Sequence, residues 1–518
     1  MPEAESAAAV ERTRKSYDET PYVSSPLVRF QPGRMAANAR WFGLTAPDAL
    51  RTRMLEIGCA SGGHILPLAL ANPDAKYLGI DLSPRQIAAG EARRATLGVA
   101  NLKLSAKSLA DIEAADGDFD FIVCHGVHSW IPEPLRDDLM RVIGQRLAPD
   151  GIAMVSFNVL PGWRLFQIAR DAMNFHAGVV QDIAERIRRA RELFAKLAAQ
   201  SPPGRSYGAF WRNEAARMAA GDDGYLAHEI FEDSNAPESF DSFCERLALH
   251  GLTYLCEASL GADGEDSLAP DAAETVRALA AGDDRARGRY LDIFSGRTFR
   301  EALIVRAGRI GAVRPPPAPE ALDGLHFIAP LDFSLKAADE GGVMAGSGEG
   351  GVTIKGEAVA LAMQALVERL PGSVVLDDLA PSAGAERAAI RDTLARLVKF
   401  GHLDVSTEPL PCAATLGDRP RAWGLCAADA RVGAETVNLR HAAIQLSPIQ
   451  RLLLPLLDGA HTRADLLEHA LGLAERGQLK MRGPDGPLVG RAAYEARLGP
   501  VIDDTLEAFR AQAKLLQQ

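Results

Sequence analysis

Short apolar runs alternate with amphipathic stretches from residue 53 to residue 158. A parallel sheet wrapped by crossover helices leaves this pattern in a sequence. It predicts strands over 53–57, 76–81, 102–105, 120–124 and 152–158, and helices over 62–70, 84–97 and 132–147. Ser83-Pro84 opens the second helix as an N-cap followed by proline at the first helical position. The last strand is an almost unbroken apolar run, as a strand covered on both faces requires. The fold class expected is therefore α/β, with a doubly wound, Rossmann-like domain over 1–165.

The pattern then changes. Residues 166–200 read as one long helix, stopped by Ser201-Pro202-Pro203-Gly204. Residues 205–310 are helical at first and end in an apolar segment, 303–305, able to rejoin a sheet. Pro315-Pro316-Pro317 reads as a stiff linker, and 341–351, with six glycines, as a flexible connection. Segments 357–370, 385–400 and 403–405 follow the helix-turn-helix-strand order of a winged helix. From 437 onward the chain is helical again, with 449–457 as core. Three domains are expected: 1–165, a mostly helical 166–312 and a winged-helix-like 320–518. A length of 518 residues exceeds what one core supports.

Composition narrows the function classes. Apolar residues at 47 % and charged residues at 24 % describe a globular protein with material for real cores. A net charge of -11 and the lack of a basic recognition stripe argue against DNA, even for the winged-helix order. Six cysteines without C-x-x-C spacing point to neither disulfides nor zinc and fit a reducing cytoplasm. The N-terminal stretch lacks a signal-peptide pattern, and no run reaches membrane-span length, so no membrane role is expected.

The chemistry concentrates in Met54-Leu-Glu56-Ile-Gly58-Cys59-Ala-Ser-Gly62-Gly63, where a strand turns into a helix, and in Asp81 at the end of the next strand. Small residues let backbone approach a ligand, and an acid at that distance accepts from ribose hydroxyls. A dinucleotide would use the same architecture but brings a pyrophosphate to the helix N-terminus, where Glu56 is unwelcome. S-adenosylmethionine has no phosphate and carries a sulfonium and an ammonium. The Glu-x-Gly-x-x-x-Gly order with Asp81 therefore favours the methyl donor.

At this point the chain resembles the class I methyltransferases. It is most similar to bacterial members that couple this domain to a methyltransferase regulatory domain, typified by rickettsial protein lysine methyltransferases acting on outer-membrane proteins. Beyond the donor loop, the resemblance rests on Tyr17-Asp-Glu-x-Pro21-Tyr22-x-Ser24-x-Pro26, Asp81-Leu-Ser-x-x-Gln86-Ile and His125-Gly-Val-His-Ser-Trp130-Ile-Pro132. Asn158-x-x-Pro161-Gly162-Trp163, Arg170-Asp171-x-Met173-x-x-His176, Tyr225-Leu-x-His228-Glu229 and Tyr290-Leu-Asp292 extend it, as do Asn438-Leu-Arg-His441 and Leu456-Leu-Asp458-Gly459. The resemblance implies lysine methylation in a protein substrate, such as an outer-membrane protein before export. It also implies S-adenosyl-L-methionine as donor and a homodimer. The chain departs from the pattern at Ser108, where many relatives place an acid for the adenine amine, and at His128, where a tyrosine is expected.

Strand order places Glu56, Gly58, Cys59, Gly62, Asp81 and Leu82 at the donor, Ser108 and Leu109 near adenine, and His125 at the end of the fourth strand. His128, Trp130, Asn158 and Trp163 are candidates for the acceptor side. A tryptophan face can hold a cationic amine, and an amide oxygen can orient it. Tyr17 and Tyr22 are candidate lid residues. One histidine and one acid in His228-Glu229 do not make a metal site, and no metal is expected. Two other readings stand beside this one: a small-molecule or RNA methyltransferase of the same fold, and a non-catalytic donor-binding regulator.

Overall fold

In the computed structural model, the described residues are 11, 12, 14, 15, 18 and 24–517, apart from 181, 222, 233, 263, 264, 266, 267, 314–317, 338–341, 349, 484 and 485. Tyr17, Tyr22 and the Pro315-Pro316-Pro317 linker lie outside them.

Helix α1 (Pro32–Trp41) opens with proline in its first turn. Then come β1 (Arg53–Ile57), α2 (Ile65–Ala71), β2 (Lys76–Asp81), α3 (Pro84–Thr96), β3 (Leu102–Ala106), β4 (Phe119–Cys124), α4 (Glu133–Arg146) and β5 (Leu147–Asn158). Ser83 caps α3 by accepting from the Gln86 amide at 3.2 Å. The helix expected from residue 62 begins only at Ile65, because residues 58–64 make the ligand-facing turn.

The 166–200 stretch is two helices, α5 (Trp163–Ala177) and α6 (Ile183–Gln200). Gly178 ends the first at φ 61, and the Asp182 carboxylate caps the second by accepting from the Glu185 amide at 2.7 Å. Continuous helical spacing hid this break. Helices α7 (Ser206–Ala220), α8 (Asp223–Phe231) and α9 (Phe240–Leu249) follow, then β6 (Leu252–Glu257), α10 (Pro270–Ala280), α11 (Asp284–Ser295) and β7 (Phe299–Arg306).

The central sheet runs β3-β2-β1-β4-β5-β7-β6. Strands β1 to β5 are parallel, and β7 enters antiparallel between β5 and β6. The apolar 303–305 segment thus does rejoin the sheet, with Leu303, Ile304 and Val305 fully buried. This is the doubly wound, Rossmann-like arrangement, whose ligand site lies outside the carboxyl ends of the strands. The edge is pinned by Arg300, which pairs with Asp292 at 2.8 Å and with Glu257 while fully buried.

Segment 341–351, expected to be a loose connection, instead contains a strand, Val343–Gly346, paired on one side with Ser334–Ala337 and on the other with Val352–Ile354. A Cβ at Gly351 would lie 2.6 Å from Met344 Cγ, so glycine serves close strand approach there. A second small sheet joins His326–Ile328 to Val374–Val375 and Asp404–Ser406 beside the helices Glu357–Glu368 and Ala385–Lys399. The tail combines a hairpin (Glu435–Val437, Ala443–Gln445) with the helices Arg463–Glu475 and Arg491–Ala511. Leu453, Leu454 and Leu457 from this tail belong to one apolar cluster with Met54, Ile65 and Phe121 of the sheet domain.

Helix α1 is buried at nine of its ten positions. Ala37 and Trp41 join the core around Phe327 and Leu394, Asn38 donates to the Ala258 carbonyl at 2.9 Å, and Arg34 pairs with Asp404. It works as an internal wedge between the sheet domain and the C-terminal parts. Among the described residues, no helix is long and apolar enough to cross a membrane.

Candidate active site

At the end of β1 the chain turns sharply under the end of β2. The amides of Gly58 and Cys59 both donate to the Ile80 carbonyl, at 2.9 and 3.0 Å. Gly58 holds φ 76, and a Cβ there would lie 2.5 Å from Val127 Cγ2, so only glycine fits. Asp81 is tied to this turn: one carboxylate oxygen accepts from the Ala60 amide at 2.8 Å, the other from the Ser83 amide at 2.9 Å. Ser24 Oγ accepts from the Gly63 amide at 2.7 Å, laying the N-terminal segment over the loop.

Glu56 is the focus of the electrostatics. It is 4 % exposed, accepts a backbone hydrogen bond from Ile65, and leaves Oε2 with no hydrogen-bond partner. Burial first, and the neighbouring Asp81 second, hold its carboxyl well above the usual range. Asp81 is also raised, by burial, although three backbone amides oppose the shift. Two acids in a dry turn, one with an orphaned oxygen, form a site electrostatically incomplete without a cation. The donor's ammonium fits Glu56, and its ribose hydroxyls fit the remaining lone pairs of Asp81.

These residues line a single cavity of ≈ 650 Å³. Glu56, Gly58, Cys59, Asp81, Leu82, Ser108, Leu109 and His125 line it together with Trp130, Asn158 and Trp163. So do residues not singled out as site residues from the sequence: Ser24, Leu27, Lys107, Val127, Leu135, His228, Glu229 and Phe299. His228 and Glu229 stood in a quoted motif, but helix spacing alone carries no sign of which cavity they meet. Among the described residues, no group of three or more His, Cys, Asp or Glu side chains is placed to hold a metal ion.

His125 packs its ring against Phe30 at 5.4 Å and Phe299 at 5.9 Å, and burial holds its imidazole down at about 4. It is therefore neutral near pH 7. Trp130 has the Arg170 guanidinium over its ring at 5.7 Å, and Trp163 donates through Nε1 to Asn235 at 2.8 Å. Asn158 anchors its backbone amide to Ser129 Oγ at 2.8 Å, and its Nδ2 has no hydrogen-bond partner.

Two expected positions lie elsewhere, and a third is engaged locally. His128 is fully buried behind the cavity wall, with Nε2 2.8 Å from Glu238, which also pairs with Arg246 at 3.0 Å. An imidazole so enclosed between Phe157 and Phe243 does not meet an acceptor. Gly62 does not line the cavity; at φ 80 it shapes the turn beneath it. Ser108 does line it, but its hydroxyl caps a short turn by accepting from the Ala110 amide, while Asp111 turns back to the Ser108 amide at 2.9 Å and stays out of the cavity.

A methyltransferase domain model matches residues 55–153, a predicted methyltransferase regulatory domain model 222–306, and a PKMT C-terminal winged helix domain model 418–513. The winged-helix match thus falls beyond the helix-turn-helix-strand order at 357–405. The uncharacterized protein RP789 of Rickettsia prowazekii is 26 % identical over 96 % of this chain and 93 % of its own length. The uncharacterized protein RP028 of the same organism is 32 % identical over 46 % of this chain and 96 % of its own. PKMT2 of Rickettsia typhi, solved in complex with AdoHcy, superposes with a TM-score of 0.83 at 23 % identity, covering 96 % of this chain and 100 % of that one. The chain belongs to the class I S-adenosylmethionine-dependent methyltransferases that carry a methyltransferase regulatory domain.

Proposed function

We propose that the protein methylates lysine side chains of a protein substrate. The observation that carries this reading is the continuity of the cavity from Glu56 and Asp81 to Trp130, Asn158, Trp163, His228 and Glu229. Trp163, His228 and Glu229 come from helices of the middle region while Trp130 and Asn158 come from the sheet domain, as suits an acceptor that arrives as part of a chain.

When bound, S-adenosylmethionine supplies a methyl group already activated by its sulfonium, so the protein's task is alignment and desolvation. Glu56 holds the ammonium, Asp81 the ribose, and Gly58, Cys59 and Leu82 the backbone cradle. Ser108 and Leu109 flank adenine, and His125 closes the cradle as a neutral wall. Trp130 and Asn158 orient the acceptor nitrogen. His128 contributes by holding the 125–130 loop through Glu238.

The acceptor in this reading is a cytoplasmic protein, with an outer-membrane protein before export as the leading case. The working unit is a homodimer. Leu165, Ile168, Phe175 and Val179 are exposed along and just beyond α5, Phe175 at 90 %, which is an apolar face suited to a second copy.

The test is transfer of label from methyl-labelled S-adenosylmethionine into host lysate, fractionated into protein, RNA and small molecules, with Asp81→Ala as control. Label on protein lysines, lost in the control, upholds the reading. Label confined to RNA or metabolites keeps the methyltransferase and removes the lysine assignment.

A further inference from the structure

We infer that Glu229 is the group that receives the acceptor's ammonium and takes its proton before methyl transfer, an assignment that rests on the lysine reading above. Glu229 lies on α8 and lines the same cavity as Glu56. Among the described residues its carboxylate has no hydrogen-bond donor and no ion-pair partner.

The cations around it are engaged elsewhere. Arg170, from α5, donates to the backbone carbonyls of Glu229 and Glu232 and covers Trp130. Arg217, from α7, pairs with Glu214 at 2.8 Å. Arg186, from α6, lies over Phe231. On its own helix, His228 turns Nδ1 toward Glu232 at 3.6 Å. Arg217 and Arg170 therefore act on the Glu229 carboxylate only through space, and it lines the cavity without a direct hydrogen bond or ion pair. One cavity lined by two acids from different elements, Glu56 with an orphaned oxygen and Glu229 without a direct partner among the described residues, fits two cationic ligands.

The acid's strength suits the task. Burial pushes the Glu229 carboxyl up to about 7 against the opposing pull of Arg217 and Arg170. A lysine ammonium has a pKa of about 10.4 in water, and a partly apolar channel lowers it. The two groups approach one another, which is what efficient proton transfer needs. A proton passes from the acceptor Nζ to the Glu229 carboxylate, leaving a lone pair on nitrogen. That lone pair forms the N–C bond while the C–S bond breaks and its electrons remain on sulfur, so the positive charge passes to the methylated nitrogen. The proton on Glu229 then leaves to solvent.

Glu229→Gln is the test, read in two ways. In binding, n-butylammonium titrated into AdoHcy-saturated protein quenches the fluorescence of Trp130 and Trp163. Wild type is expected to bind it more tightly as pH rises through 7, and Glu229→Gln to bind at least tenfold more weakly without that pH dependence. In turnover on a lysine-bearing acceptor, the variant is expected to lose at least a hundredfold in kcat/KM near pH 7. It should recover part of that by about pH 9, where free amine forms in solution. AdoHcy affinity stays within twofold, showing an intact donor site.

Unchanged amine binding and an unchanged pH profile in Glu229→Gln overturn the inference even if lysine is labelled. Absence of methyl-lysine from wild type overturns the lysine reading itself, so the two failures are separable. Should Glu229→Gln not fold, amine binding by wild type that is flat between about pH 6 and 8 is sufficient to overturn the inference.

Discussion

His64 and His441 meet edge to face in a buried contact, with Nδ1 of the first 2.7 Å from Nε2 of the second. His64 Nδ1 also accepts from the Leu27 amide at 3.2 Å. The donor loop, the N-terminal segment and the C-terminal domain thus share one nitrogen atom. His64 must be neutral for this, with its Nδ1 as acceptor and Nε2 of His441 as donor. Burial holds both below the usual histidine range, His441 down to about 3.

A folded-state pKa below the unfolded one means that acid stabilises the unfolded chain. The destabilisation is absent above about pH 6.5, grows as pH falls, and levels off only below the folded pKa. Wild type is expected to lose on the order of 2 kcal/mol by pH 5 through His441 alone. His441→Asn tolerates the left-handed backbone at φ 62 and should flatten this loss. Denaturant melts of both proteins at pH 5 and pH 7 measure the difference.

Removing the orphaned acid of the donor turn separates binding from stability. Glu56→Gln is expected to weaken AdoHcy by about 10- to 100-fold, as loss of a charged hydrogen-bond partner does. The ligand-free variant should melt no lower than wild type, because a buried carboxyl raised well above its usual range destabilises the fold as pH rises past about 4.5. Calorimetry and thermal melts decide; equal AdoHcy affinity would show that Glu56 is not the ammonium's partner.

His128→Ala should behave in the opposite way. It strands Glu238 inside the fold beside Arg246 and is expected to cost about 2 to 3 kcal/mol. Because the ring does not reach the cavity, AdoHcy affinity should stay within a few-fold of wild type. A large loss of kcat at full stability would put the imidazole back among the reacting groups.

Phe175→Glu places a charge on the exposed face of α5. Light scattering after gel filtration is expected to show wild type as two chains and the variant as one. A wild-type monomer would remove the homodimer.

Several features of the fold were legible from residue order. The strands β1 to β5 stand out because each is a short apolar run ended by a polar or glycine-bearing turn, and Ser83-Pro84 announces α3 by capping chemistry alone. Spacing failed where a break leaves the periodicity intact, as at Gly178, and where glycines serve strand packing instead of freedom, as at 343–351. The apolar 303–305 segment shows that a strand is present, but its antiparallel insertion between β5 and β6 follows from which sheet edge is free.

By itself, the chain order determined the donor chemistry: a carboxylate, a glycine turn and a second acid fall within one local strand-loop-helix-strand unit, and local geometry follows from local sequence. Tertiary structure alone decided which distant groups share the cavity. Glu229 and His228 reach it because α8 packs against α5, and His128 is excluded from it because Glu238, Phe157 and Phe243 enclose the ring. Burial and desolvation depend on contacts between segments far apart in the chain, so no spacing rule within one segment records them.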